Sequence, residues 1–331
     1  EDVTKNVGDT ITEEEIALWY VWIPRYKYQL FNLNNESVPE QLINVTFESG
    51  ITSTGTVSCT DAVTGSGTSS ETCTNASNGN WYTHPAFTFG SEEITGFWVG
   101  KFEVSGSTSQ ITIKPGVSSL GDTNVSSFFT AIQNIKSGYS ISSGDSHMMK
   151  NIEWGAVAYL KQSKYGLGTT DITINDNSSH YTGGGSSSIS YKSNTDQSTT
   201  GNVYGVYDMS GGAGEYVMGN MVDNSSGSFY VSSSGFSGAP DVKYYDKYTN
   251  HPALETHERG KLGDATKETL TIFGNKNGGW YSDHAYFVHA TFSWFQRGGN
   301  YGSGSVAGIF NFNNHNGGNF SIISARTVLC P

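Results

Sequence analysis

The sequence predicts an α+β fold with two helices, short antiparallel strands and many long loops. Two segments have helical spacing, and much of the remainder consists of short aromatic segments that alternate with Gly, Ser and Asn. The 41 glycines, 19 tyrosines and 17 phenylalanines among 331 residues are typical of a chain rich in loops and strands. Aromatic residues make up 13% of the chain, which excludes a disordered protein.

The charge balance narrows the classes of partner. The 30 acidic and 18 basic residues leave a net charge of −12. Binding to phosphates or to anionic lipids needs clustered Lys and Arg, so we expect no nucleic-acid partner. No apolar run approaches the ~18 residues of a membrane helix, and we expect no membrane insertion within this chain.

Two aromatic strands are expected in the first third of the chain. Leu18–Pro24 should pack on both faces, and Pro24 limits it to a sheet edge or a strand end. Thr95–Val104 is the second strand. Between them, residues at about 50–80 are rich in Thr, Ser and Gly, which indicates an inserted loop or a long hairpin.

The two helical segments follow. Apolar residues recur at helical spacing over 125–135, Ser126 and Ser127 are available to cap this helix, and Gly138 is expected to end it. The second helix is expected over about Asn151–Ser163. Apolar side chains cover most of its circumference, so it should be buried.

The three cysteines bear on location. Cys59 and Cys73 flank a polar Gly/Ser/Thr segment, and a disulfide between them would clasp this loop; the alternative is two free surface thiols in a reducing compartment. A disulfide implies an oxidising, extracellular location. Cys330, near the C-terminus, is expected to be structural or free.

Five segments carry motif residues: Val21–Pro24, Phe97–Ser105, Ile152–Tyr159, Asn202–Val217 and Arg297–Tyr301. In this order they resemble the formylglycine-generating-enzyme (sulfatase-modifying factor) domain, a branch of the C-type lectin fold. The most specific is Asn202–Val217, which resembles the family pattern N-x-[YW]-G-l-x-D-M-x-G-N-v-x-E-W. The resemblance implies one domain over residues 1–331, with the insertion at about 50–80.

The motif residues Trp154, Glu215, Arg297 and Arg326 are expected to be structural. Glu215 has few cationic neighbours in sequence, so its partner must be backbone N–H groups, Arg297, Arg326 or a metal. In the family this region can bind calcium, but Gly212 stands where the family has Asn, which removes one oxygen ligand. We therefore expect no cofactor. Ala325 stands where the family commonly has Phe, and we expect this difference to alter the packing under the site.

Catalysis is not expected. The family's oxidases hold copper with two cysteines soon after the Arg-Gly-Gly motif, and no cysteine lies between Arg297 and Arg326. The sequence contains no Gly-x-Ser-x-Gly elbow and no Walker loop. His251, His257 and the neighbouring glutamates have irregular spacing around Pro252, which favours a solvated loop over a zinc site.

The segment at about 297–326 is the expected binding site. It is uncharged from Asn300 to Ser321 and rich in Asn, Ser, Gly and aromatic residues, the composition of adaptable paratopes. It resembles the variable region of proteins diversified by retroelements. The expected ligand-binding residues are Tyr301, Ser303, Ser305, Val306, Asn311, Asn313, His315, Asn316, Asn319 and Phe320. Some of the aromatic and His residues in Trp280–His289 are expected to extend this binding face, and the others are expected to lie in the core.

The sequence therefore predicts a non-catalytic recognition protein at a cell surface or on a virion. The resemblance implies a phage receptor-binding protein or a bacterial surface or pilus adhesin, whose partner is a protein or glycan on a host or neighbouring cell. Two alternatives stay open. One is a structural subunit of a surface filament or virion, and the other is a degenerate enzyme of the formylglycine-generating type.

Overall fold

The computed structural model describes residues 6–34, 36–63, 69–185, 189–223, 225–249 and 260–331. Helices and strands are mixed along this part of the chain, so the α+β prediction is confirmed. The α-helices are α1 (Val125–Gln133), α2 (Ile135–Gly138) and α3 (Asn151–Lys161). No helix within the described ranges is both long and apolar enough to cross a membrane.

The strands are short, as expected. In chain order they are β1 (Tyr20–Pro24), β2 (Tyr26–Gln29), β3 (Val45–Phe47), β4 (Ser58–Val63), β5 (Ser69–Thr74), β6 (Trp81–Thr83), β7 (Thr88–Phe89), β8 (Glu92–Glu93), β9 (Gly96–Gly100), β10 (Ser105–Ser107), β11 (Gln110–Thr112), β12 (Asp145–Met148), β13 (Gly214–Val222), β14 (Asp246–Thr249), β15 (Trp294–Gly298), β16 (Gly308–His315), β17 (Ile323–Ala325) and β18 (Thr327–Cys330).

The first predicted helix is divided. The periodic segment forms α1 and the single turn α2, which meet at Asn134, so the prediction of two helices was wrong by one. The cap is also different from the one expected. Asn124 immediately precedes the first helical residue, and its side chain accepts a hydrogen bond from the backbone N–H of Ser127 at 2.9 Å. Gly138 ends α2, as expected.

The second predicted helix, α3, is buried along its length except at Leu160. It ends at Lys161, two residues before the expected end at Ser163. The side chain of Glu153 accepts a hydrogen bond from the backbone N–H of Lys150 at 2.8 Å. This N–H lies at the start of the helix, where backbone donors have no partner within the helix.

The two largest sheets have four and five strands. One has the order β1-β9-β18-β12, and the other has the order β14-β13-β15-β16, with β17 also paired to β13. The prediction of antiparallel strands was wrong for β13, which pairs in parallel with both β14 and β17. Parallel pairs need long connections between distant segments, and local sequence patterns do not show these.

The first aromatic strand lies at a sheet edge, where Pro24 needs no ladder donor. Both faces of β1 are packed, as expected, although only Ile23 of its five residues is buried. Val21 and Ile23 pack in the largest core cluster. Tyr20 packs against a second cluster that contains Phe102.

The inserted segment is a hairpin. Strands β4 and β5 pair antiparallel with Cys59 opposite Cys73, and the two cysteines form a disulfide. This confirms the predicted bridge. Lys261 ties the hairpin to the body through an ion pair with Asp61, whose closest N–O distance is 2.6 Å.

Candidate functional site

The sheet that contains β13, β15 and β16 has two faces whose side chains differ in chemistry. Glu215, Arg297 and Phe312 are opposite one another in the ladder, and all three are buried. Tyr216, Gln296 and Asn313 form the next row and point to the other face, because side chains alternate along a strand. The inner face holds the structural residues, and the outer face carries the candidate site.

Glu215 is paired with Arg326, which decides among the partners left open by the sequence. Arg326 donates from Nε to the carboxylate of Glu215 at 3.0 Å and from Nη2 at 2.5 Å. It also donates to the backbone oxygens of Gly100 and Tyr207, at 2.7 and 2.9 Å. These four hydrogen bonds all lie inside the protein, and the pair joins β13 to the residue directly before β18, near the end of the chain.

Arg297 instead ties β15 to α3. Its Nη1 donates to the side-chain oxygen of Asn151 at 3.0 Å, and its Nη2 donates to the backbone oxygen of Ala265 at 3.0 Å. The guanidinium lies 5.5 Å from the ring centroid of Trp154, whose Nε1 donates to the backbone oxygen of Ile309 at 2.7 Å. Arg297 and Trp154 thus fix the inner side of β15 and β16.

The outer face carries a cleft of about 240 Å³. Its lining comes from β15, β16 and the loop between them, with one histidine from outside this hairpin. The lining residues are His284, Gln296, Gly299, Asn300, Ser303, Val306, Asn311 and Asn313. None of these is an acidic or a permanently charged basic residue. Burial lowers the pKa of His284, with a further contribution from Lys276, so the imidazole is neutral near pH 7.

Asn311 is the most constrained residue of the cleft. Its side chain is 3% exposed, and its Nδ2 donates to the backbone oxygen of Val306 at 2.7 Å. Its Oδ1 is buried and has no hydrogen-bond partner among the described residues. A buried acceptor without a partner costs about 1–3 kcal/mol. Because Oδ1 is buried, a ligand donor in the cleft reaches it only after a small shift of the Asn311 side chain or its neighbours, and that contact would recover this cost.

The expected ligand-binding residues divide into two groups. Ser303, Val306, Asn311 and Asn313 line the cleft. The rest of the set lies outside that lining, with Ser305, Asn319 and Phe320 exposed and Tyr301, His315 and Asn316 half-buried.

Three of the outer residues are held by neighbours. The ring of Tyr301 lies 4.9 Å from that of His180, and the ring of His315 lies 4.3 Å from that of Phe320. Tyr216 also contacts His315, with its hydroxyl 2.5 Å from Nδ1. Four of the expected binding residues therefore share one cleft, and the other six lie outside its lining.

Side chains alternate between the two faces of β16, and this decides which residues of the segment can reach a ligand. Phe310 and Phe312 are fully buried in the core, whereas Asn311 and Asn313 face the cleft. The upstream segment divides similarly: Trp280 is buried in the core and His284 lines the cleft.

Sequence reasoning missed Gln296, and it placed Gly299 and Asn300 within the expected segment without naming them as ligand-binding residues. Gln296 precedes Arg297 on a strand, and alternation places it on the opposite face, which was an available signal. Gln296 lies opposite Asn313 across the β15–β16 ladder.

The residues around the strand motif do not fit calcium. Glu103 accepts a hydrogen bond from the backbone N–H of Ala213 at 3.0 Å, and Asp208 accepts from the backbone N–H of Gly183 and from the side chain of Asn175. Donors occupy the oxygens that a cation would need. At Gly212, φ is +71° and an added Cβ would lie 2.7 Å from the Glu103 carboxylate, so a side chain there is excluded without movement.

Two further features noted in the sequence are Ala325 and the His251–Glu258 segment. Ala325 is fully buried in a cluster that includes Tyr216 and Trp294. The His251–Glu258 segment lies outside the described residues.

The comparisons with known proteins give only distant likeness, to solved structures. No family model and no curated protein matches the chain. Among solved structures, Treponema denticola variable protein 1 is similar with a TM-score of 0.34 and 12% sequence identity, over 84% of this chain and 100% of that chain. A likeness of this size leaves the fold class at α+β.

Proposed function

We propose that the chain is a non-catalytic ligand-binding protein displayed outside the cell. In this proposal it has a C-type lectin fold of the formylglycine-generating-enzyme type, and it binds a protein or glycan on another cell surface through the cleft on β15 and β16. The observation that carries the proposal is the uncharged cleft with the unpartnered oxygen of Asn311 at its wall.

The chemistry of the lining supports binding rather than catalysis. Amide and hydroxyl groups donate and accept hydrogen bonds, but they neither transfer protons near pH 7 nor act as activated nucleophiles unless a base assists them. His284 is the one titratable side chain in the lining, and its Nδ1 lies 3.2 Å from the side-chain oxygen of Asn277. The alternative of a degenerate enzyme would require an activated nucleophile or a proton-transferring group in this cleft, beyond these amide and hydroxyl groups.

The disulfide supports the proposed location. A bridge between Cys59 and Cys73 persists in oxidising surroundings, such as the outside of a cell or the surface of a virion. The phage or bacterial carrier implied by the resemblance is part of the proposal.

The proposal is tested by binding to arrays of printed neutral and sialylated oligosaccharides and of immobilised extracellular protein domains. The purified chain is compared with Asn313→Lys, which places a charge in the cleft. Thr108→Lys is the matched control, because Thr108 is exposed at the turn between β10 and β11.

We expect the wild-type chain and Thr108→Lys to bind the same array elements, and Asn313→Lys to lose them. Binding that Asn313→Lys leaves unchanged would move the site elsewhere. A folded wild-type chain that binds neither array would count against the proposed function.

A further inference from the structure

Three side chains from distant parts of the chain meet near one edge of the four-stranded sheet. His147 is on β12, Glu153 is in the first turn of α3, and Cys330 ends β18. Each is at most 1% exposed. A nitrogen of His147, a carboxylate oxygen of Glu153 and the sulfur of Cys330 all lie within 4.8 Å of one another.

The contacts around His147 orient its ring. Nε2 lies 3.0 Å from Oε1 of Glu153, and Nδ1 lies 3.3 Å from Oδ1 of Asp145. The ring of Phe89 stacks on the imidazole with a centroid distance of 4.6 Å. Asp145 is opposite Cys330 in the β12–β18 ladder, so the same strand pairing positions both the outer carboxylate and the thiol.

We propose that His147, Glu153 and Cys330 form a zinc site. Nitrogen, carboxylate oxygen and sulfur are the three donor types that zinc accepts in proteins, and a site with three protein ligands takes water as the fourth. Asp145 acts from outside the ligand set. A carboxylate beside the second ring nitrogen of a metal-bound histidine fixes the tautomer and the orientation of the ring.

The positive charge of Lys150 would repel a zinc ion at this site. Its ammonium lies 3.9 Å from Oε1 of Glu153 and 5.5 Å from the ring centroid of Phe89, and it also lines a separate surface cleft. The other cation nearby, Lys243, is paired with Asp145 at 3.0 Å, and the hydroxyl of Tyr244 donates to the same carboxylate at 2.8 Å. Zinc binding therefore requires Lys150 to turn toward the open cleft. Removing its charge should strengthen binding.

The test uses the purified chain with its disulfide intact. Zinc is titrated by calorimetry in two buffers of different ionisation enthalpy, and cobalt(II) is substituted to detect a thiolate-to-metal absorption band. We expect one ion per chain, release of at least one proton per ion as the Cys330 thiol becomes a thiolate, and a thiolate band. Cys330→Ser should abolish the band, whereas the double variant Cys59→Ser/Cys73→Ser should keep it.

Lys150→Met provides a check that does not depend on losing a ligand. We expect it to bind zinc more tightly than the wild-type chain, with its fold confirmed by circular dichroism. A wild-type chain that binds no zinc, or a thiolate band that persists in Cys330→Ser, would overturn the proposal and leave a buried ion pair next to a thiol. Neither result bears on the cleft at β15 and β16.

Discussion

Arg326 and Glu215 form a fully buried, two-point ion pair that joins the end of the chain to the central strand β13. Two further buried carboxyl groups, Glu103 and Asp208, lie close enough to interact with it electrostatically. Burial raises the pKa of Glu103 well above its usual range, and the charges of Asp208 and Glu215 raise it further. This shift favours the protonated form of Glu103, which limits the negative charge gathered around one guanidinium.

The first prediction concerns this pair. Arg326→Met leaves the Glu215 carboxylate buried without its cation, and we expect a loss of about 3–5 kcal/mol in the free energy of unfolding. Urea denaturation measures it. The matched control is Lys192→Met, which removes an ion pair to Glu13 whose two side chains are about half exposed. A loss no larger for Arg326→Met than for this control would show that the buried pair does not hold the fold together.

The second prediction concerns pH. Glu268 is fully buried and accepts hydrogen bonds from the hydroxyls of Tyr28 and Tyr159, at 3.0 and 2.9 Å, and burial raises its pKa to about 7. An acid whose pKa is higher in the folded state stabilises the fold below its unfolded pKa and loses that contribution as pH rises. Stability should therefore fall between pH 4.5 and about 7, by about 1.4 kcal/mol per pH unit from this group at most.

Glu268→Gln removes the ionisable carboxyl group and keeps a side chain of nearly the same size and shape. We expect the difference in unfolding free energy between wild type and variant to change with that slope across the same pH window. Glu92→Gln, at an exposed strand position, is the control and should give a flat difference. A flat difference for Glu268→Gln as well would mean that Glu268 is ionised in the folded protein.

The third prediction concerns the disulfide. In the chain-entropy model, closing a loop of about 15 residues contributes about 3 kcal/mol. We expect Cys59→Ser/Cys73→Ser to lose about this much, as measured by urea denaturation without reductant. Reductant should lower the stability of the wild-type chain to that of the variant and leave the variant unchanged. Equal stability of both proteins without reductant would show that the bridge does not constrain the unfolded chain.

The fourth prediction concerns salt. Because no permanent charge lines the cleft, binding of an array element should release few counter-ions. We expect the dissociation constant to change by less than about threefold between low and high sodium chloride, as measured by surface plasmon resonance. A steep loss of affinity with salt would indicate that charged residues outside the cleft make the contact.

Local patterns in the sequence were sufficient for several features. Cys59 and Cys73 are close in sequence, so a bridge between them needs only a hairpin, and the buried helix α3 follows from its apolar circumference. Features that depend on distant pairing were missed. The partner of Glu215 lies 111 residues away, and the sequence left it open among backbone N–H groups, Arg297, Arg326 and a metal.

The same limit applies to the two candidate sites. Asn311 and Asn313 were expected from composition, but Gln296 joins them only through the register of β15 with β16. His147, Glu153 and Cys330 come from two strands and a helix, so no sequence motif unites them. Cys330 alone therefore gave no more than an expectation of a structural or free thiol.

The most direct test of the proposed function is a crystal structure of the chain with a ligand identified from the arrays. The account predicts a ligand donor within about 3 Å of Oδ1 of Asn311, with the rest of the ligand against Gln296 and Asn313. A ligand bound on another surface, with the Asn311 oxygen still unpaired, would contradict the account.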